Sequence, residues 1–441
     1  MESLAEKYFY KICSIPHPSY HEKALSDYVV SEAKQLGYEY IQDEMWNVIV
    51  KIPATKGYEN VPAIMVSGHM DMVPTKLAEK KFNFETDPIE YYLDGRILRA
   101  NGTTLGADDG VATAYMLALM HDSFEHPLIE CVFTVQEETG CDGAKFVDAS
   151  KLTAKKLIGL DTTGEYEVTV GNYCSDLIIF KKDISFIEEK KKSYLVKLKT
   201  IDSYYGGFDV HDYTKNAIQY LSKILKDHHC CLVSMHGGKA ENLPVQDAEA
   251  VVVCEESLEG INEITYNEVE ADHYLSQEAS NQLYDFLLSI PNGALESEGE
   301  TLLSSFLLGK ITLENSIEIL GSSRAKNNEY NEHVLTILKQ LKDEYQYNYE
   351  QSVRYRSWDY RPYSPLRELF RKALKTRTDQ DVVETICPGG LEISDFIYKM
   401  GDIDVLSIGP KAGGFHTPSE WMNIDSFNLV YELLKDVIKA K

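Results

Sequence analysis

Long apolar runs are missing from this chain. No stretch approaches the ~18 residues a membrane-spanning helix needs, so a helical membrane partner or span is not expected. Met1 to Tyr10 carries Glu2, Glu6 and Lys7 where a signal peptide would carry an apolar core, so export is not expected either. Positive charge is scarce. There are 44 Lys and Arg against 70 Asp and Glu, a formal charge of −26, which gives nucleic acid and anionic membranes no electrostatic hold. Cysteine is thinly spread: the 8 residues form no Cys-x-x-Cys pair, and the one close pair is the adjacent Cys230-Cys231. Neighbouring cysteines rarely bridge, so free thiols in a reducing cytoplasm are the expectation. Internal repeats and low-complexity tracts are also absent.

What is present is ordinary globular material: 441 residues, 44% hydrophobic and 26% charged, enough for two or more domains with sizeable cores. Glu22 to Leu36 has apolar residues at helical spacing and ends at Gly37. Apolar strands follow at Asn47–Ile52, Ala63–Ser67, Ile129–Val135 and Lys156–Leu160, with an apolar helix over Val111–Met120. Continuous rather than alternating apolar strands, separated by helices, argue for an α/β layer around a mostly buried mixed sheet. From about Asn172 the texture changes. Lys181–Lys192 is charged and reads as a hairpin or loop, Tyr194–Ile201 alternates as a half-exposed strand, Thr214–Lys226 and Val334–Tyr345 are amphipathic helices, and Ala248–Cys254 is a strand. The α/β texture returns near Trp358, with a helix at Ser364–Lys375, a strand at Val405–Ile408 and a closing helix at Asp425–Lys439. The economical organisation is one α/β domain over 1–172 and 358–441, its sheet flanked by helices, interrupted by an α+β domain over 173–357.

Five segments place a metal-type ligand at the end of an apolar run or in a glycine-rich loop. They are Ser67-Gly68-His69-Met70-Asp71, Gly106-Ala107-Asp108-Asp109-Gly110, Gln136-Glu137-Glu138-Thr139-Gly140, Leu160-Asp161-Thr162 and Gly413-Gly414-Phe415-His416-Thr417. Each has a plainer explanation alone. His69 could be a satisfied polar residue at a strand end, Asp108-Asp109 a helix N-cap, Asp161 a surface turn, and His416 a loop residue. Asp71, two residues after His69 on an extended chain, faces the same side and could orient its imidazole, or simply serve the turn before Val73-Pro74. Adjacent acids at 108–109 and 137–138 repel each other, and a cation removes that cost. One acid of the second pair could bind metal while the other holds a proton-accepting position. Five independent positions holding only His, Asp and Glu point jointly to a metal centre. The mixture suits Zn, Mn or Co better than Ca or Mg. Its chemistry would be hydrolysis by metal-activated water.

At this point the chain resembles a known family. The runs Ile12-Cys13-Ser14-Ile15-Pro16-His17-Pro18-Ser19-Tyr20-His21-Glu22, His69-Met70-Asp71-Met72-Val73-Pro74 and Asn101 through Gly110 are similar to those of the M20 metallopeptidases, within them the cytosolic aminoacyl-histidine (Xaa-His) dipeptidase branch. So are Glu137-Glu138-Thr139-Gly140-Cys141-Asp142-Gly143-Ala144, Gly390-Leu391-Glu392 and Ser407-Ile408-Gly409-Pro410 followed by His416. The resemblance is dense over 1–172 and 358–441 and sparse between. It implies a catalytic α/β domain interrupted by a lid domain, and two divalent ions, zinc first, with manganese or cobalt as alternatives. Asp108 would bridge them; His69 and Asp161 would complete one site, Glu138 and His416 the other. Glu137 would be the general base, Asp71 would orient His69, and the Asp108–Asp109 peptide would be cis. The implied substrate is a small unblocked dipeptide, the compartment the cytoplasm, and a homodimer a possible assembly.

The inserted region departs from the family. Where the family carries Gly-Gly-His-Ser-Gly, this chain has Ser203-Tyr204-Tyr205-Gly206-Gly207, so Tyr205 stands in place of a His that would help hold the substrate. His211 matches a second family His and reads as structural. The family's substrate-carboxylate Arg falls near Gly321, with Arg324 three residues on, and Asn242 roughly matches an Asn-Ala-Ile-Pro element. Tyr205, Asn242 and Arg324 are therefore the candidate substrate-binding residues. A working dipeptidase is the first expectation. The alternatives are a metal-retaining, weakly active homologue acting as a binding protein, and an M20-type deacylase or carboxypeptidase on another small amide.

Overall fold

Every residue of the strands Ile64–His69 and Ile129–Thr134 is buried, as expected of strands covered on both faces. In the computed structural model, which describes residues 2–198 and 215–440, these strands lie parallel, with Ile64 opposite Ile129 and His69 opposite Thr134. They belong to an eight-stranded sheet in the order Glu39–Gln42, Val48–Ile52, Ile129–Thr134, Ile64–His69, Lys156–Gly159, Asp404–Ser407, Glu167–Asn172, Val383–Cys387. The third to sixth strands of that order run parallel, while antiparallel pairs occur towards both edges. The sheet is thus mixed, and the carboxyl ends of its parallel strands share one edge, where α/β proteins collect ligands.

The helix Ala107–His121 is apolar around nearly its whole circumference and buried from Asp109 to Met120, as a helix enclosed by other elements must be. Phe9 of the helix Leu4–Cys13 reaches its backbone at Gly110, where an added Cβ would lie 3.2 Å from the Phe9 ring. A second, small antiparallel sheet orders Ala412–Gly413, Trp421–Asn423, Ile97–Ala100 and Tyr91–Asp94. Trp421 pairs with Arg99, so the loop leaving Ala100 and the loop entering Trp421 start side by side.

The chain divides into two compact units, Met1–Asn172 with Trp358–Lys441, and Tyr173–Ser357. The second is built on an antiparallel sheet against which the helices Ala217–Asp227, Gln277–Ser289 and Asn328–Tyr345 bury a core of their own. The charged stretch 181–192 is not a hairpin: it falls on two strands, Ser175–Asp183 and Ile187–Leu198, which pair with other strands rather than with each other. Its lysines find acids across the sheet, Lys190 with Glu270 at 2.7 Å and Lys192 with Glu268 at 2.8 Å. Such cross-strand pairs make a lysine-rich sequence compatible with a strand.

The expectation of free thiols fails at two positions. Cys230 and Cys254 form a disulfide. Strand register explains the pairing: Cys231 faces Val253 in the antiparallel ladder, so the next residue out on each strand meets its opposite. A separation of 24 residues concealed this from inspection of spacing. Among the described residues no helix is long and apolar enough to cross a membrane.

Candidate metal centre

His69 closes the buried strand Ile64–His69 and is itself fully buried. Its Nδ1 lies 3.0 Å from the Asp71 carbonyl oxygen and 3.3 Å from Asp71 Oδ1, leaving Nε2 to face Asp108 Oδ1 at 3.2 Å. Asp71 is in turn fixed. Its carboxylate accepts from Ser19 Oγ at 2.8 Å and from the backbone N–H groups of Glu137 and Glu138 at 3.0 and 3.4 Å. One carboxylate therefore ties the His69 strand end to the Glu137–Glu138 turn. Burial opposes its ionisation, but these bonds and His69 hold its pKa below the ordinary value.

Asp108 stands at the start of the Ala107–His121 helix, where the helical conformation is interrupted at Asp108 and Asp109 and the peptide between them is cis. Its two oxygens face different ligands: Oδ1 meets His69 and Oδ2 meets His416 Nε2 at 3.2 Å. His416 occupies a left-handed turn, φ 61°, and also lies 3.0 Å from Glu138 Oε1. Glu137 and Glu138 follow the Ile129–Thr134 strand, and the chain turns back there through N–H bonds from Gly140 and Cys141 to the Glu137 carbonyl, both 2.9 Å. Asp161 follows the Lys156–Gly159 strand. The result is two clusters whose ligand atoms lie within 4.8 Å of one another, His69 with Asp108 and Asp161, and Asp108 with Glu138 and His416. Asp108 belongs to both.

The chemistry of this donor set fits cations. Donors about 2.0–2.2 Å from a tetrahedral zinc sit roughly 3.3–3.6 Å apart, and the 3.2 Å imidazole–carboxylate spacings are close to that. Glu138 Oε1 is buried yet makes no aligned hydrogen bond. Several acids crowd two imidazoles, one buried and one half-exposed, and their pKa values shift accordingly. Burial, then Asp108, push Asp161 well above the carboxylate range. Burial, opposed by His69 and reinforced by Glu138 and Asp71, raises Glu137 to about 8. The facing carboxylates of Asp108 and Glu138 lift His416 to about 10. For Asp108 burial raises, but the bonds from His416 and His69 prevail and hold it well below its usual range. A cluster so short of positive charge could hold divalent ions.

Glu137 stands apart from the ligand clusters. It is buried, and its Oε1 accepts a hydrogen bond from the Cys141 thiol at 3.2 Å. Of the candidate substrate-binding residues, Tyr205 lies outside the described residues, as does His211. Asn242 is exposed in the segment between the strands Cys231–Gly237 and Ala248–Val253. Arg324 is half-buried near the end of the strand Ser316–Ala325. Both belong to the second unit, whereas every residue of the two clusters belongs to the first.

Sequence reading missed three supports. Ser19 and Cys141 were quoted within motifs without a role. Glu420 was not singled out, although its carboxylate accepts four backbone N–H groups in succession: Leu105 and Gly106 on Oε2 at 2.7 and 3.1 Å, Ala107 and Asp108 on Oε1 at 2.8 and 3.2 Å. The available signal was an acid four residues after His416 in an otherwise small-residue turn.

The profile of peptidase family M20/M25/M40 matches residues 65–440. Over 98% of its length the chain is 29% identical to the cytosol non-specific dipeptidase of Escherichia coli (strain K12), of which 96% is covered. The aminoacylhistidine dipeptidase from Vibrio alginolyticus has a similar structure, with TM-score 0.78 and 28% identity over 99% of this chain and 96% of that one. Aminopeptidase PepT from Bacillus cereus ATCC 10987 shares the fold, with TM-score 0.64 and 17% identity over 100% and 98% of the two chains.

Proposed function

The chain belongs to peptidase family M20/M25/M40, and from that premise we propose that it is a di-metal dipeptidase acting on small unblocked dipeptides, Xaa-His among them. The single observation that carries this reading is the shared carboxylate: Asp108 presents one oxygen to His69 and the other to His416, the arrangement a bridging ligand requires. In this reading His69, Asp108 and Asp161 hold one ion, and Asp108, Glu138 and His416 hold the other, with zinc favoured by the donor set. Divalent ions bound there polarise a carbonyl and acidify water. The chain's own groups do the rest. Asp71 fixes the His69 ring so that Nε2 faces the centre. Glu137 takes the proton of the attacking water and delivers it to the leaving amine nitrogen. The Cys141 thiol holds Glu137 Oε1, leaving Oε2 for that task. Burial keeps Glu137 basic enough to accept a proton near neutrality, because a carboxylate whose pKa is raised is a stronger base.

The E. coli relative is named a cytosol enzyme, and the cytoplasm is the compartment we propose here. The experiment is dipeptide hydrolysis by the purified protein with added Zn, Mn or Co, using a panel that includes Xaa-His substrates, for the wild type and Glu137→Gln. Loss of the proton shuttle should lower kcat roughly 10²–10⁴-fold while both ions stay bound. Equal turnover by the two proteins refutes the assignment of Glu137. Undetectable turnover by the wild type on every dipeptide leaves a binding protein as the better reading.

A further inference from the structure

Glu420 sits at the far end of the loop that carries His416, and its side chain fills the concavity made by the N–H groups of Leu105, Gly106, Ala107 and Asp108. Gly106 makes the concavity possible: its backbone is left-handed, φ 73°, which turns successive N–H groups towards one point, an arrangement that receives anions. Here the anion comes from the protein itself. Glu420 is buried, and each of its oxygens serves two N–H donors, so the carboxylate has little freedom left. The residues it grips end at Asp108, while the loop it belongs to supplies His416. The small sheet brings the bases of these two loops together through the Trp421–Arg99 pair, and Arg99 donates to the Ser419 carbonyl at 3.2 Å, but neither contact reaches the loop that ends in Asp108.

We propose that Glu420 is a positioning residue that clamps the Asp108 loop to the His416 loop, setting the Asp108–His416 distance and so assembling the ion site shared by Asp108, Glu138 and His416. This rests on the reading of those three residues as metal ligands. The clamp has a chemical asymmetry that makes it testable. Glutamine in its place keeps the shape but replaces one oxygen with an NH₂ group, which would point two hydrogens at two backbone N–H donors. Two of the four bonds are lost and two like dipoles are opposed.

The test is a zinc titration of the metal-free full-length protein against a competing chelator, followed by calorimetry, for wild type, Glu420→Gln and Glu420→Asp, with folding monitored by circular dichroism and thermal melting. The wild type should take two ions. Glu420→Gln should bind one of them about 10–100-fold more weakly, the range for loss of an outer support of a ligand, and leave the other unchanged within error. On a His416→Ala background, which removes the site the clamp serves, adding Glu420→Gln should not change the affinity of the remaining ion. Glu420→Asp keeps the charge on a shorter reach and should fall between wild type and Gln, and it carries the test alone if the Gln variant does not fold. A folded variant binding both ions like the wild type overturns the clamp, as does equal weakening of both ions that persists on the His416→Ala background. A wild type that fails to take two ions overturns the metal reading itself, and the clamp with it.

Discussion

Gly68 precedes His69 on the central strand, and its missing side chain is what lets that strand touch the helix carrying Asp108. A Cβ at this position would lie 2.1 Å from Ala112 Cβ and 2.5 Å from Asp109 Oδ2. Carbon atoms in contact are about 3.5–4.0 Å apart, so Gly68→Ala requires strand and helix to separate by roughly 1.5 Å. Neither can yield cheaply. The strand is hydrogen-bonded to a neighbour on each side, and the helix is buried from Asp109 to Met120 and backed by Phe9 at Gly110. Overpacking of this kind costs about 1–3 kcal/mol, and two contacts far inside van der Waals range place it at the upper end. A loss of about 3 kcal/mol corresponds to roughly 6–12 °C in Tm for a domain of this size. The functional cost is of comparable size, because His69 and Asp108 ride on the two elements being forced apart. A misplacement of about 1 Å is enough to cost on the order of 10²-fold in rate. The assays are scanning calorimetry, zinc titration and dipeptide turnover, with Gly37→Ala as the control. Gly37 has φ 71° but open space around it, so alanine there should cost about 1–2 kcal/mol of backbone strain without changing metal affinity or turnover. If Gly68→Ala melts and binds zinc like the wild type, strand–helix contact is not what spaces the ligands.

Three further outcomes follow from the same geometry. Asp71→Asn turns one acceptor oxygen into a donor facing N–H or O–H groups, and zinc affinity and turnover should fall about 10–100-fold, read by titration and kcat/KM; wild-type values would show that His69 needs no orienting partner. Removing metal with a chelator should lower the first unit's Tm, by the equivalent of about 2.7 kcal/mol if zinc had stood at 100 times its Kd. The transition of the second unit, which holds none of the clustered ligands, should not move. Away from the site, burial raises the pKa of Asp122, but the Lys435 hydrogen bond at 2.9 Å and the Ser123 N–H outweigh it, and the net shift is downward. A depressed carboxylate stabilises the fold above its unfolded pKa, and that contribution fades as pH falls through the folded value. Lys435→Met should therefore cost about 0.5–1 kcal/mol at pH 7, the scale of a partly exposed pair, with the difference vanishing in acid; urea titrations across pH would reveal it, and a difference that grows in acid would refute the sign.

The site was more legible than its supports because the two are written differently in sequence. A ligand at the end of a parallel strand interrupts an apolar run, and His69, Glu138 and Asp161 all announce themselves that way. His416 and Asp108 were visible as a polar residue among glycines and as a repelling acidic pair. The five converge into two clusters within 4.8 Å because the carboxyl ends of the parallel strands share one edge of the sheet. Ser19, Cys141 and Glu420 act on backbone groups or on other side chains, and no local pattern distinguishes an acid gripping four amides from one facing water. The same holds for Cys230 and Cys254, whose meeting depends on the register of an antiparallel ladder, a property of the pair and not of either segment.

That difference bears on how the centre is held. The candidate ligands come from five places along the chain, and the fold brings them together against mutual repulsion of the acids. Asp71 joins the His69 strand to the Glu137–Glu138 turn through two acceptor bonds, with a third from Ser19, and Glu420 joins the Asp108 loop to the His416 loop through four. Both are buried carboxylates that accept N–H or O–H groups and lie outside the two clusters. The two connections share no hydrogen-bond partner, each spanning one pair of segments, and Asp108 faces both imidazoles. The combined loss from Asp71 and Glu420 variants should approach the sum of the separate losses, as expected for supports that share no hydrogen-bond partner. A strongly non-additive pair would show instead that the cradle moves as a single body.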